Sequence, residues 1–279
     1  MLKLSIITIN LNNAAGLKKT MESVFNQTSK DFEYIVIDGG STDGSVAIVQ
    51  QFNNSTIQQF TWLSEPDSGI YQAMNKGIHM AKGEYCQFIN SGDWLVANNT
   101  IERMLNALTD CAIFYGNMLK VLSNGTIFYN KYVPVNTMLT FYGGSLNHVS
   151  AFIKRSLFDK YGPYDESLII VSDWKFYLIA IGLNNEKVDY VDIDVTYFDM
   201  RGISNTNSTL DKSERRKVLI DLLPPNILAD YDAHWLDIEQ IKRIKRYKIL
   251  WKIFWFVERC LFQIDKRKQK RKRVHLFYE

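Results

Sequence analysis

The sequence has few cysteines and no long uninterrupted apolar run. Cys86, Cys111 and Cys260 lie far apart, and no CxxC pair occurs. This spacing argues against a disulfide framework and against a cysteine-based zinc site, so we expect reduced, structural thiols. The opening residues contain an apolar stretch that is too short for the core of a secretory signal peptide. We therefore expect a cytoplasmic protein.

An excess of positive charge is also missing from most of the chain. Residues 1–238 carry 19 Lys or Arg against 26 Asp or Glu, a net charge of −7, whereas residues 239–279 carry 14 against 4, a net charge of +10. The acidic body is not expected to attract nucleic acid. The basic end predicts an anionic surface as its partner.

The length of 279 residues and the hydrophobic content of 46% allow a full core. In the first ninety residues, apolar runs alternate with helical periodicity. The pattern predicts strands at 4–9, 32–37, 60–63 and 85–89 and helices at 14–27, 45–52 and 71–81. This alternation indicates an α/β fold with a parallel sheet and helical crossovers.

The second half of the chain has a different pattern. Short strands flank a hairpin turn at 123–126, which predicts more antiparallel pairing. We also expect a strand at 149–153, a helix at 174–181, and one or two edge strands at 188–198. The Leu-Leu-Pro-Pro-Asn segment at 222–226 breaks the chain. We therefore predict a domain at 1–225 and a helical tail at 226–279.

Two acidic residues follow predicted strands. Asp38 ends an apolar run and precedes Gly39 and Gly40, and Asp93 ends the turn that follows the strand at 85–89. In open α/β sheets, ligands bind at the carboxyl ends of the strands. These two carboxylates are therefore candidates for a binding site.

Six short stretches occur in a specific order and spacing. They are SIITINLN at 5–12, DGGSTDG at 38–44, SEPDSGIYQAMNKG at 64–77, NSGD at 90–93, His148, and SDW at 172–174. Together they resemble family 2 glycosyltransferases with the GT-A fold, over roughly residues 1–205. The resemblance implies a Rossmann-like mixed sheet flanked by helices, and an inverting enzyme of the type that builds bacterial cell-surface polysaccharide.

The resemblance also implies a nucleotide-diphosphate sugar as donor, which we expect to be a UDP-sugar. Asp38 is expected to bind the nucleotide, and Thr8 lies at the position that contacts the base. Asp67, Asn75 and Lys76 are expected to line the nucleotide and sugar-phosphate pocket, with Lys76 pairing with phosphate. Structural alternatives stay open: an Asx turn at Asp38, a helix cap at Asp67, and a solvated Lys76.

The NSGD stretch occupies the place of the family's acidic metal motif, and Asp93 is its only acid. Mg²⁺ or Mn²⁺ takes oxygen ligands and is held by one carboxylate together with diphosphate oxygens and water. Asp93 is therefore the expected metal ligand. Asn90 and Ser91 are candidates for the ribose contact. The alternative is a plain Asx turn at a strand end.

Asp173 matches the family's catalytic base, which accepts the proton of the acceptor hydroxyl. A helix N-cap at Ser172 or Asp173 is the alternative interpretation. His148 is expected to contact a phosphate oxygen or the metal, although a lone histidine is often structural. Arg201 and Ser204 resemble a loop that closes over the donor diphosphate, with a surface turn as the alternative.

The tail combines an amphipathic segment at 245–266 with seven positive charges in the eight residues 266–273. Lys252, Glu258 and Arg259 interrupt its apolar run, which is too short and too charged to predict a bilayer span. The pattern favours an interfacial helix on an anionic membrane. The alternatives are packing on the catalytic domain and, less favoured, nucleic-acid binding.

These observations predict an inverting, metal-dependent glycosyltransferase at the inner face of the cell membrane, which it binds peripherally, with a lipid-linked glycan or polysaccharide as acceptor. A nucleotidyltransferase is a second hypothesis, but its basic, glycine-rich phosphate loop has no counterpart at 10–16. A membrane-docked, non-catalytic scaffold is the third. The three acids Asp38, Asp93 and Asp173 argue against the scaffold.

Overall fold

The computed structural model describes residues 2–52, 59–129 and 137–275, apart from the side chains of 203–204 and 269–275. The chain divides into two compact units, Met1–Leu222 and Leu223–Glu279. The division lies close to the predicted domain boundary at residue 225.

Strands and helices alternate in the first unit up to β4, and the order then becomes irregular. The strands are β1 (Leu4–Asn10), β2 (Phe32–Asp38), β3 (Phe60–Ser64), β4 (Tyr85–Phe88), β5 (Trp94–Leu95), β6 (Ile113–Val121), β7 (Ile127–Tyr129), β8 (Ala151–Lys154) and β9 (Val188–Asp199). The helices are α1 (Ala14–Phe25), α2 (Ser45–Gln51), α3 (Ile70–Met80), α4 (Thr100–Ala107), α5 (Met138–Gly143), α6 (Ser156–Tyr161), α7 (Ser172–Tyr177), α8 (Ile203–Thr206) and α9 (Ser208–Leu222). A 3₁₀ turn, His148–Ser150, precedes β8, and a π-helical segment, Leu178–Leu183, follows α7.

The strands form one mixed sheet in the order β3-β2-β1-β4-β8-β6-β9-β5, with β7 paired to β6. Strands β1 to β4 are parallel, and β8 is antiparallel to both β4 and β6. The predicted α/β fold, the parallel first half and the hairpin between β6 and β7 are confirmed. The carboxyl ends of β1, β2 and β4 therefore lie at one edge of the sheet.

Two local predictions were wrong, and a third element, the helix after Val171, is confirmed with different bounds. Strand β9 is not at the edge, because it pairs in parallel with β6 and antiparallel with β5. His148 does not directly precede a strand at 149–153, because it begins the 3₁₀ turn. That turn is held by the Ser150 hydroxyl, which donates to the Gly116 carbonyl at 3.0 Å. The helix predicted at 174–181 begins earlier, at Ser172, and changes to π geometry at Leu178.

Helices cover both faces of the parallel part of the sheet. On one face, α1 buries Leu17, Met21 and Val24 against β1 and β2, as its helical apolar period predicts. On the other face, α3 packs on β1 where Gly77 meets Ile7. A Cβ on Gly77 would stand 2.5 Å from Cγ2 of Ile7, so only glycine permits this close approach. The position of α3 fixes the motif that leads into it.

Aromatic rings pack beside β4 on the side of α3. The ring of Phe88 stacks on the ring of His148, with 5.1 Å between the ring centroids, and packs edge-on against the ring of Tyr164, with 5.6 Å between centroids. The ring of Phe176 in α7 packs against the same Tyr164 ring, also with 5.6 Å between centroids. Aromatic pairs of this kind prefer defined ring arrangements, and they stabilise the fold by more than the burial of their surface area alone. The cluster therefore fixes the positions of His148 and α7.

The second unit contains α10 (Pro225–Lys245) and α11 (Lys248–His275). In α11, apolar side chains are exposed, including Ile249 (74%), Phe256 (68%) and Ile253 (52%). Among the described residues, no helix combines the length and the hydropathy needed to cross a bilayer.

Candidate active site

Three parallel strands end side by side at the edge of the sheet. Asn10 of β1, Asp38 of β2 and Ser64 of β3 are neighbours in register. The Asp38 carboxylate accepts hydrogen bonds from the Asn10 amide at 2.7 Å and from the Ser64 hydroxyl at 2.7 Å. The hydroxyl and the backbone N–H of Ser41 donate to it at 2.6 and 2.9 Å. Protein donors therefore surround this carboxylate.

The environment of Asp38 favours its charged form. Burial alone would raise the pKa of Asp38, but the hydrogen bonds from Ser41, Ser64 and Asn10 outweigh it and lower the pKa. The side chain has no exposed surface, and it does not line the adjacent cavity. A direct nucleotide contact thus requires one of its present partners to move. In this structure Asp38 organises the turn after β2.

A cavity of about 970 Å³ lies beside these strand ends. Its walls come from the ends of β1 and β9, the turn after β4, the start of α3, the 3₁₀ turn, and α7. Seven of the predicted site residues line it: Asp67, Asn90, Ser91, Asp93, His148, Asp173 and Arg201. The structure thus brings donor-side and acceptor-side candidates to one cavity.

Asp67 reaches this cavity because Gly39 leaves space for it. A Cβ on Gly39 would stand 2.5 Å from Oδ2 of Asp67. The other carboxylate oxygen of Asp67 accepts the N–H of Gly69 at 3.1 Å, just before α3. Asp67 thus forms an Asx turn before the helix and faces the cavity, whereas the alternative helix cap at Asp67 is wrong, because Gly69 is the N-cap of α3 and no described side chain caps it.

Besides Asp38, three further predicted donor-site residues do not line the cavity. Thr8 is fully buried and donates to the Ile89 carbonyl at 2.7 Å, which ties β1 to the chain after β4. Asn75 donates to the Tyr164 carbonyl at 2.9 Å and accepts the N–H of Tyr164 at 2.9 Å. Lys76 forms an ion pair with Glu65 at 2.8 Å. Their described partners are protein groups, so this geometry gives no support for a ligand contact.

Ser204 lies on α8, and its side chain is outside the described residues. The side chain of Ile203 in the same loop is also outside them, whereas Arg201 is described. Arg201 donates from Nε and one terminal nitrogen to the Asp199 carboxylate, at distances of 2.5 to 3.0 Å. These bonds lower the pKa of Asp199. The Arg201 side chain is 74% exposed, so the pair lies at the mouth of the cavity.

Asp93 is the most deeply buried acid of the cavity wall, with 4% of its surface exposed. Its Oδ1 accepts the N–H of Asp199 at 2.8 Å. Burial raises the pKa of Asp93 to about 8, with the backbone bond from Asp199 opposing the shift and the charge of Asp199 adding to it. Among the described residues, no positive charge compensates this carboxyl.

The turn that presents Asp93 is held from α1. The hydroxyl of Thr20 donates to the Asp93 carbonyl at 2.6 Å and accepts the N–H of Gly92 at 3.0 Å. Gly92 has a φ of 106°, a conformation that favours glycine. Beside it, the Asn13 amide donates to the Ser91 carbonyl at 3.0 Å. The Asn90 side-chain oxygen is buried and has no hydrogen-bond partner among the described residues.

The donor chemistry of this wall fits a hard divalent cation. Asp93 and Asp199 both face the cavity, and carboxylate oxygens are the ligands that Mg²⁺ and Mn²⁺ prefer. The described residues contain no group of three or more His, Cys, Asp or Glu suited to a metal. Protein ligands would therefore be few, which suits an ion that also binds the phosphates of a nucleotide.

Asp173 lies in the first turn of α7 and faces the same cavity. Its Oδ1 is 2.9 Å from the Tyr71 hydroxyl, and its Oδ2 is 4.0 Å from Nδ1 of His148. His148 instead pairs through Nδ1 with the Tyr177 hydroxyl at 3.1 Å. Burial lowers the pKa of His148, although the charge of Asp173 opposes the shift. A neutral imidazole therefore stands beside Asp173.

Sequence reasoning missed four residues of the cavity wall or its support: Asp199, Tyr71, Arg215 and Glu214. Asp199 ends strand β9, so the rule that selected Asp38 and Asp93 would have selected it as well. Arg215 stacks on Trp174 at 4.6 Å and pairs with Asp211 at 3.1 Å. No sequence motif marks Tyr71 or Glu214 as a partner of the loop before α7, because those contacts join segments far apart in the chain.

The comparisons with known proteins agree with this geometry. The sequence model of "Glycosyl transferase family 2" matches residues 5–162, more than half of the chain. The chain belongs to glycosyltransferase family 2. It is therefore a glycosyltransferase.

Curated relatives support the same assignment. A PGL/p-HBAD biosynthesis glycosyltransferase of Mycobacterium bovis is 28% identical over 206 residues, which cover 72% of this chain and 79% of the relative. An uncharacterized glycosyltransferase of Mycobacterium tuberculosis is 33% identical over 182 residues, which cover 63% of this chain and 68% of the relative.

Solved structures confirm the GT-A fold. S. aureus TarS 1–349 in complex with UDP-GlcNAc matches with a TM-score of 0.59 at 22% identity, over 74% of this chain and 61% of that chain. The mannosyltransferase PcManGT of Pyrobaculum calidifontis, in complex with GDP-Man and Mn²⁺, matches with a TM-score of 0.55 at 17% identity, over 70% and 56%. The chain thus spans about three fifths of these two structures.

Proposed function

We propose that this glycosyltransferase moves a sugar, with inversion, from a UDP-sugar to a hydroxyl group of a lipid-linked glycan or polysaccharide. The observation that carries the proposal is the single cavity lined by Asp93 and Asp199 at strand ends and by Asp173 on α7. The proposal needs acidic groups for two tasks in one space, holding a divalent cation at the donor and accepting a proton from the acceptor. The complex of S. aureus TarS with UDP-GlcNAc supports the choice of a UDP donor.

The donor side of the cavity offers hydrogen-bonding groups and the exposed cation Arg201. Asp67 and Ser91 line the wall next to Asn90, whose side-chain oxygen has no partner among the described residues. These groups suit the hydroxyls and N–H groups of a nucleoside. Arg201, exposed at the cavity mouth, suits the diphosphate because guanidinium groups bind phosphate in a bidentate manner.

Asp93 and Asp199 are the residues that would hold Mg²⁺ or Mn²⁺. When bound, such an ion neutralises charge on the leaving diphosphate. These two carboxylates fit this role because, among the described residues, Asp93 is buried with no ion-pair partner and Asp199 pairs with Arg201, whose side chain is largely exposed. The Mn²⁺ in the related mannosyltransferase complex supports the proposal.

Asp173 acts on the acceptor. Its carboxylate takes the proton of the attacking hydroxyl while the acceptor oxygen forms a bond to the anomeric carbon. The bond from that carbon to the diphosphate oxygen breaks at the same time, and its electron pair leaves with the diphosphate. Attack from the side opposite the leaving group inverts the anomeric configuration. His148, kept neutral by burial, places no positive charge beside Asp173.

The tail is proposed to hold the enzyme at the cytoplasmic face of an anionic membrane as a peripheral protein. Exposed apolar residues of α11 and the basic residues 266–273 support this role. An amphipathic helix followed by clustered Lys and Arg binds anionic lipid through burial and charge together. This location would give access to lipid-linked acceptors.

The proposed function is tested by a screen of nucleotide sugars against the full chain. Calorimetry and thermal shift are measured with Mn²⁺, with Mg²⁺ and with chelator, and the nucleotide released on turnover is identified. We expect a UDP-sugar to bind, with release of UDP in the presence of acceptor. Release of pyrophosphate would indicate a nucleotidyltransferase, and binding without turnover on any lipid-linked or polysaccharide acceptor would indicate a scaffold. Either outcome contradicts the proposal.

A further inference from the structure

Tyr71 stands between the donor-side motif and the candidate base. It is the second residue of α3, directly after the turn of Asp67, and only 4% of its surface is exposed. Its hydroxyl oxygen lies 2.9 Å from Oδ1 of Asp173 and 2.5 Å from the carbonyl oxygen of Ile170. The donor-side helix therefore reaches the acceptor-side carboxylate through one side chain.

The two contacts of the Tyr71 hydroxyl compete for its single proton. A phenol has one proton, whereas an ionised carboxylate and a carbonyl are both acceptors. While Asp173 is ionised, the Tyr71 hydroxyl donates to it. When Asp173 has accepted a proton, the new carboxyl O–H donates to the Tyr71 oxygen, and Tyr71 donates to Ile170. The arrangement thus offers Asp173 a hydrogen bond before and after proton transfer.

The proton stays on Tyr71 throughout. Burial raises the pKa of Tyr71 well above its ordinary value, and the charge of Asp173 adds to the shift. The phenol is therefore neutral at any working pH and serves as a hydrogen-bond partner, without giving up its proton.

The carbonyl that completes the arrangement is held in place by α9. The Glu214 carboxylate accepts the N–H of Ile169 at 2.7 Å and the N–H of Ile170 at 2.9 Å. Two hydrogen bonds to one buried carboxylate fix the orientation of this peptide segment. The Ile170 carbonyl is thus a fixed acceptor for Tyr71.

We propose that Tyr71 is a positioning residue for Asp173, which orients the carboxylate and accommodates its change of protonation during transfer. The inference rests on the proposed role of Asp173 as the base. Other titratable groups face the same region: Nδ1 of His148 is 4.0 Å from Asp173, beyond hydrogen-bond distance, and Tyr177 bonds to His148. Tyr164 belongs to the same aromatic cluster.

Tyr164 supplies a matched control. Its ring lies 5.6 Å from the ring of Tyr71, and its hydroxyl is buried with no hydrogen-bond partner among the described residues. Tyr164→Phe and Tyr71→Phe therefore remove the same atom from the same cluster. Only Tyr71→Phe removes a bond to Asp173.

The test compares steady-state transfer, donor calorimetry and thermal melting of the full chain in both variants and in Asp173→Asn. For Tyr71→Phe we expect the Kd for the donor to stay within about twofold and kcat to fall about tenfold or more, the scale of a hydrogen bond to a charged group. The acid limb of the rate profile moves to higher pH, because the carboxylate has lost a donor that favours its charged form. Tyr164→Phe keeps the wild-type values.

Each outcome separates the inference from the function on which it rests. If Asp173→Asn is inactive while Tyr71→Phe keeps the wild-type kcat and acid limb, the inference is wrong and the function stands. If Asp173→Asn transfers sugar normally, the proposed base itself is wrong. If the Tyr71→Phe variant is unfolded at the assay temperature, 3-fluorotyrosine is placed at position 71 instead. It retains the ring and the hydroxyl, and the fluorine makes the O–H a stronger hydrogen-bond donor. It is then expected to move the acid limb to lower pH, and an unmoved limb overturns the inference.

Discussion

Asp93 is deeply buried and also lies on the cavity wall. Burial favours the neutral form of its carboxyl, whereas binding a cation from the cavity requires the ionised form. Burial raises its pKa to about 8, whereas a nearby positive ion would favour the ionised form. A buried carboxyl without a positive partner is costly for folding and useful for binding a cation. The residue is therefore the most informative single position to replace.

Asp93→Asn is expected to abolish the rise in melting temperature that Mn²⁺ gives in the presence of UDP, because the amide offers no charge to the ion. Transfer should fall by about a hundredfold, the scale of losing one charge-stabilising group. Thermal shift and UDP release measure the two effects. Asp159→Asn, which removes an exposed acid on α6, is the control. An Mn²⁺ response equal to that of wild type would exclude Asp93 as a ligand.

His148 makes stability depend on pH with a defined sign. Its pKa in the folded protein is lowered from an ordinary value of 6.5 by burial. Below about pH 6.5 the unfolded chain binds a proton that the folded chain does not, so stability contributed by neutral His148 is lost as pH falls. Above that pH the contribution is fully present.

The prediction is that the difference in melting temperature between wild type and His148→Gln is larger at about pH 7.5 than at about pH 5.5. Other groups titrate in both proteins and cancel in the difference. Differential scanning fluorimetry across this range is sufficient. A difference that grows toward low pH would show that folded His148 is protonated and paired with Asp173.

At the scale of elements, the end of β9 and the loop after it line one side of the cavity. Asp199 pairs with Arg201, whose side chain is 74% exposed, and ion pairs that are open to solvent contribute little to stability. Arg201 can therefore leave Asp199 for a diphosphate at small cost. This exchange would also release the Asp199 carboxylate beside Asp93.

Arg201→Gln is expected to weaken UDP binding about tenfold, because a charge-assisted bond to phosphate is lost, while the melting temperature of the ligand-free protein stays close to wild type. Lys212→Gln, which removes an exposed charge from α9, is the matched control and should keep wild-type affinity. Calorimetry at two salt concentrations measures both. Equal affinity of the two variants for UDP would indicate that the loop is only a surface turn.

Periodicity predicted the early elements well, because each short apolar run forms its own strand and each crossover helix buries one face. It could not predict that β9 pairs with both β6 and β5, since strand partners depend on segments far apart in sequence. The same limit explains the site. The strand-end rule located Asp93, but the partners of Asn75 and Lys76, the Tyr164 backbone and Glu65, were visible only in the folded chain.

At the scale of the whole molecule, charge separates along the chain. The first 238 residues have a net charge of −7, and residues 239–279 have a net charge of +10. Along α11, Lys248, Lys252 and Arg259 share one side of the helical wheel. A second side carries Ile249 and Ile253, which are four residues apart. This separation of charge and apolar surface is what the proposed membrane role of the tail requires.

The full chain is expected to bind vesicles of anionic lipid and to bind neutral vesicles weakly. Affinity should fall as salt rises, because the attraction of each Lys or Arg, about 1 kcal/mol near the surface, is screened over about 8 Å at physiological ionic strength. Part of the affinity should not change with salt, because the exposed apolar residues of α11 become buried in the membrane interface on binding. Vesicle sedimentation over a salt series measures both components.

Two full-length variants separate these components of membrane binding. Replacing the seven Lys and Arg of 266–273 by Gln should remove about half of the salt-sensitive part, since the tract holds 7 of the 14 Lys and Arg of residues 239–279. Phe256→Ser with Ile253→Ser should reduce the salt-resistant part and leave the salt slope unchanged, because these exposed residues are uncharged. If both variants sediment like wild type, the tail does not anchor the enzyme, and its apolar face has another partner.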